Sequence, residues 1–122
     1  MSSSRSAMRY YGQMNTAGKS AREIEFGVLS KITQNLRQSN ESKTSNRSSF
    51  VKALETNRSF WSLWAAELKS PDHSFPDQLR ADLLSLGAFI KNHTDGVIKG
   101  TDNIEPLLEI NTSILNGLAS RK

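Results

Sequence analysis

Two histidines, His73 and His93, are the first side chains to test for chemistry. An imidazole can bind zinc or move a proton near neutral pH, but a zinc site needs several ligands at short spacing. Neither histidine has a second ligand at such a spacing. His73 falls in a loop before Phe75. His93 falls on the apolar face of a helix, where a histidine usually serves as a hydrogen-bonded edge residue. There is no cysteine, which removes thiolate nucleophiles, disulfides and cysteine-ligated metals. The seven glycines are scattered, and none stands in a GxGxxG or GxxxxGK phosphate loop. Serine is abundant but never in GxSxG. The carboxylate pairs Glu23/Glu25 and Glu105/Glu109 have helix-surface spacings, which suit solvation better than acid/base work. We therefore expect no enzyme, no metal and no cofactor.

The elements that would position any functional side chain follow from composition and period. A chain of 122 residues has the size of one domain and is long enough to bury a core without a staple. Hydrophobic residues make up 36%, which is low, so part of the chain is expected to be loose or completed by a partner. The net charge of +4 is uneven: residues 1–58 hold ten Lys/Arg against four Glu, and residues 59–122 hold six against eight acids. A basic first half could meet nucleic acid or an acidic protein surface, or be a solvated face. The N-terminus has no apolar h-region and no run is long enough to span a membrane, so a cytoplasmic location is expected.

Four stretches carry helical spacing. The first runs from about Ala17 to Gln38, with Ile24, Val28, Ile32 and Leu36 on its stripe. A polar connector, Ser39–Ser45, reads as flexible. The second runs from about Arg47 to Lys69 and aligns Phe50, Leu54, Trp61, Trp64 and Leu68; Asn46 or Ser48 can cap it, and Pro71 ends it. The third opens at Phe75-Pro76-Asp77, with Pro76 at N1, and aligns Leu79, Leu83, Leu86, Ile90 and Val97; its end falls between Asn92 and Gly100. The fourth follows Thr101-Asp102-Asn103 and aligns Ile104, Leu107, Leu108, Leu115 and Leu118. The expected fold is an all-α, small bundle of about four helices. Residues 1–16 are expected to be a flexible polar N-terminal tail and residues 17–122 one helical domain.

Some apolar surface exceeds what one core needs. Leu63 points away from the Trp61 stripe and Phe60 lies at its edge. Ala81, Leu84 and Ala88 form a second stripe on the third helix, and Phe26 lies off the stripe of the first. Either the middle helices are buried on two sides, or the chain dimerises, or these residues form a groove for a partner's amphipathic helix. Trp61 and Trp64 are expected in the core. Asn111 lies within the apolar face of the fourth helix, where it should bond across helices or touch a partner.

Residues 57–90 carry a further signal. A tryptophan helix, a loop of the form S-P-x-x-x-x-P and then L-R-A-x-L-x-S-x-G follow in order, through Trp61, Pro71, Pro76, Leu79, Arg80, Ala81, Leu83, Ser85 and Gly87. This resembles the central signature of the FlaF family of flagellar biosynthesis regulators. Tyr10/Tyr11 before Ser20–Glu25, and the stretch from Leu107 to Leu118, are similar to its ends. Where the family often has an aromatic or apolar residue after the Leu-Gly pair, this chain has Ala88. The resemblance implies a cytoplasmic protein that binds new flagellin and promotes its secretion and filament assembly, alongside the regulator FlbT, with no catalysis. Phe26, Phe60, Leu63, Ala81, Leu84 and Ala88 are the expected contacts for a helical segment of flagellin, on a monomer or weak dimer. The alternative is a regulator of flagellin synthesis acting through RNA or FlbT. Only Arg9-Tyr10-Tyr11 interleaves basic and aromatic residues, so nucleic acid is not the expected partner.

Overall fold

The computed structural model describes residues 21–119. They form four helices: α1 (Ala21–Glu41), α2 (Arg47–Leu68), α3 (Asp77–Lys99) and α4 (Glu105–Ala119). No strand occurs among the described residues. The all-α bundle expected from the periodicity is what forms. The expected tail, residues 1–16, and the tyrosine pair within it lie outside the described residues.

The helices pack as a four-membered ring. α1 meets α2, α2 meets α3, α3 meets α4, and α4 closes on α1, leaving α1/α3 and α2/α4 as diagonals. The core in the middle takes Val28, Leu29, Ile32 and Leu36 from α1, and Phe50, Leu54, Phe60, Trp61, Trp64 and Leu68 from α2. From α3 come Leu83, Ile90 and Val97, and Leu107 and Leu108 from α4. Burying each such side chain contributes about 1.5–3 kcal/mol relative to exposure, so these stripes dominate the fold. Trp61 and Trp64 meet edge to face with centroids 5.3 Å apart.

The boundaries show what local chemistry adds. α1 runs past its expected end to Glu41, with Ser39 turned inward and its hydroxyl donating to Leu36 O at 3.2 Å. The connector then closes in a hydrogen-bonded turn, with Asn46 N–H donating to Ser42 O at 2.8 Å. Asn46 caps α2 by accepting from Ser49 N–H at 3.1 Å. Pro76 stands at the N-cap of α3, one position earlier than its expected N1 place, with φ −58° and ψ 152°. α3 continues through Gly96 to Lys99 and stops at Gly100, whose φ of 87° is the left-handed conformation that glycine adopts freely. α4 is opened by Asn103, whose Oδ1 accepts from Glu105 N–H at 2.9 Å.

Candidate partner-binding surface

The ring of His73 packs on Phe75 with centroids 4.6 Å apart, and its Nδ1 accepts from Phe75 N–H. The Nε2 of His93 sits 2.8 Å from Asn103 O, as an edge residue would. Among the described residues, no group of three or more His, Asp or Glu is placed to hold a metal.

The six expected contact residues do not form one surface. Phe60 is 1% exposed and packs beside Trp64 at 5.8 Å. Its expected place at the edge of an open face is corrected. α2 packs against both α1 and α3, so it buries a wider arc than one stripe. Leu63 lies one turn from Glu67, which meets Glu25 of α1; it is therefore within about 40° of the side of α2 facing α1. Leu84 lies one turn from Arg80, whose guanidinium donates to Leu68 O and Ser70 O at the end of α2. Leu84 is thus on the side of α3 facing α2, and α2 stands between it and Leu63. Phe26 lies two turns before Thr33, which is bonded to α4. At about 100° per residue the two share the flank turned to α4. Only Ala81, Leu84 and Ala88 stay together. Ala81 and Ala88 are exposed on the outer face of α3, and Leu84 is half-buried at its edge.

Two features escaped the sequence reading. Phe89 is the one exposed large hydrophobic among the described residues, at 44%, and its ring stacks on His93 at 5.1 Å. Glu25 and Glu67 meet across α1 and α2. Burial pushes the Glu25 carboxyl up to about 8, the shared hydrogen bond and negative charge of Glu67 push the same way, and Arg22 opposes them. Their 42-residue separation in the chain gives no periodic signal.

Three of the seven basic residues between positions 21 and 58 are engaged internally. Arg22 lies 4.6 Å over the Phe75 ring. Arg47 donates to Ile98 O. Arg58 bonds Glu55 at 2.8 Å and Asp95 at 2.6 Å, holding the Asp95 carboxyl below its usual range. No helix of the described residues is long and apolar enough to cross a membrane.

Residues 7–118 match the family described as flagellar protein FlaF. The chain belongs to the FlaF family. No curated protein and no solved structure matches it significantly. Membership gives a flagellar role, and the geometry gives the FlaF signature residues separate duties. Trp61 and Leu83 are core anchors. Gly87 packs beside Trp61, where a Cβ would lie 3.5 Å from the indole ring, an ordinary contact distance. Arg80 clamps the Ser-Pro loop, reaching Ser70 O at 2.9 Å and Asp77 at 2.7 Å. Ala81 and Ser85 are exposed and have no packing duty.

Proposed function

We propose that this chain is a non-enzymatic factor that binds newly made flagellin in the cytoplasm and promotes its secretion and assembly into the filament. The observation that carries the reading is the FlaF match over residues 7–118. The outer face of α3 supports it. Ala81, Leu84, Ser85 and Ala88 are uncharged and run over two turns, and small side chains let a partner helix approach closely. Unassembled flagellin offers amphipathic helices whose apolar faces are covered only in the filament. FlbT is a second partner implied by the family. Arg22, Arg47 and Arg58 are engaged internally, and the family match is to a flagellar protein, so we place RNA behind flagellin.

Calorimetric titration of the full chain with flagellin monomer tests the reading. Binding should persist from 50 to 200 mM salt, where an RNA contact through several basic residues would weaken by orders of magnitude. Absence of any heat with flagellin would refute the proposal.

A further inference from the structure

α4 is fastened by different means from its neighbours. Arg58 and Arg80 clamp α2 to α3 through charged and carbonyl partners. α4 has two acids, Glu105 and Glu109, and no basic residue. It is tied to α1 and α2 by uncharged groups, since Asn111 bonds Thr33, Asn57 and Trp61. Its flank against α1 is open. A groove of about 480 Å³ is lined there by Arg37, Asn40 and Glu41 of α1 and by Glu105, Leu108 and Glu109 of α4. Three carboxylates thus face one guanidinium. A groove of that size holds its charges within about the 10 Å over which 0.1 M salt screens them, so the excess of acid pushes α4 from α1. Two polar groups are also left unmade in the closed bundle. The Oδ1 of Asn40 is buried without a protein partner. Asn57 is fully buried, and while its Oδ1 accepts from Asn111, its Nδ2 has no protein partner. Such a donor raises the energy of the closed state, and water can reach it once α4 leaves. The apolar grip of α4 narrows along its length: Leu107 and Leu108 are buried, whereas Ile110, Ile114 and Leu115 are half-buried.

We propose that α4 is a latch that swings away as a unit while α1, α2 and α3 stay packed, and that the excess of carboxylates in the α1–α4 groove sets how often it opens. The linker from Gly100 to Asn103 is the pivot. Gly100, with φ 87°, supplies its freedom, and the Nε2 of His93 beside Asn103 O keeps the pivot with α3. Opening uncovers the Trp61 indole N–H together with Asn57 Oδ1 and Thr33 Oγ1. One donor and two acceptors side by side match a carboxamide, which offers one acceptor and two donors. The latch therefore recloses in the register that brings Asn111 back to them. Segments that open below the free energy of global unfolding are the ones from which moving, partner-responsive elements are drawn.

Native-state amide hydrogen exchange of the full chain, read by mass spectrometry, tests the latch. Where exchange follows the opening equilibrium, amides around Asn111 in α4 should lose protection about tenfold faster than those around Trp61 in α2, after correction for intrinsic rates. Raising salt from about 0.01 M to about 1 M shortens the screening length from about 30 Å to about 3 Å and should slow α4 about threefold relative to α2. Glu41→Lys turns a repelling carboxylate into an attracting ammonium. It should slow α4 to a similar degree at low salt and have little effect at 1 M. Glu41 is exposed and lies on α1, so its influence on α4 has to cross the groove, and circular dichroism checks that the variant folds. Equal protection in α4 and α2 would overturn the latch. Fast exchange in α4 that ignores both salt and Glu41→Lys would overturn the control by the groove carboxylates. Neither result depends on flagellin binding.

Discussion

Asn111 of α4 accepts the indole N–H of Trp61 of α2 at 2.9 Å, across a diagonal of the helix ring. Both residues are buried, at 0% and 2% exposure. The Asn111 amide also donates to Asn57 Oδ1 at 2.8 Å and to Thr33 Oγ1 at 3.1 Å. One side chain therefore links α4 to α1 and α2. A one-residue slip of α4 would turn the amide about 100° out of the core and leave these groups unpaired. Asn111→Ala should cost about 2–4 kcal/mol, combining an orphaned indole donor with a small void. Urea unfolding measures it, and a loss under about 0.5 kcal/mol would show that the network does not hold the register.

Much of this was legible beforehand. A lone Asn within an apolar stripe pointed to a cross-helix bond or a partner contact, of which the first is found, and Trp61 and Leu83 read as core from period alone. The combination of Phe60, Leu63 and Leu84 into one face was not. A helical wheel treats each helix in isolation, and which flank of α2 meets α1 and which meets α3 depends on how the hairpins turn. The Glu25–Glu67 contact was hidden for the same reason. Ser39 read as loop because serine favours loops, yet its hydroxyl finds Leu36 O within the helix.

A pH dependence follows from Glu25. Its carboxyl titrates at about 8 when folded against 4.5 ordinarily, so between those values the folded chain holds more protons than the unfolded one. Stability from this group falls as pH rises from about 4.5 and levels off above about 8. Glu25→Gln should flatten that fall and leave the variant more stable than the parent at pH 9. Chemical unfolding of both proteins at pH 6 and pH 9 gives the comparison. Parallel losses in the two would assign the effect to other groups.

A Cβ at Gly96 would run into the carboxylate of Asp102, an exposed side chain that can turn aside. Gly96→Ala should therefore stabilise by less than the roughly 1 kcal/mol that alanine's helix propensity otherwise contributes. In an Asp102→Ala background the full gain should appear. A double-mutant cycle reads the coupling, and additive effects would place the obstruction elsewhere.

On the proposed flagellin face, Ala88→Asp should weaken flagellin binding at least tenfold with little change in melting temperature, because Ala88 is exposed. Leu84→Asp should weaken binding and stability together, since Leu84 packs against the core. Leu63→Asp, on the far side of α2, should leave affinity unchanged. If Leu63→Asp were the damaging substitution, the site would lie between α1 and α2.

The two arginine clamps have a kinetic meaning. Arg58 ties the middle of α2 to the last turns of α3, through Lys91 O at 3.2 Å and Asp95. Arg80 ties the start of α3 back to the end of α2. The α2–α3 hairpin is thus fastened at its loop and midway along α2 by contacts between residues 10 to 37 apart, whose loop closure costs less entropy than longer spans. The Thr33–Asn111 bond spans 78 residues. The hairpin should form early and α4 dock last, so pulse-labelled amide exchange should protect α2 and α3 before α4. A chain emerging from the ribosome would hold its Trp61 indole without this partner until Asn111, 50 residues further on, arrives.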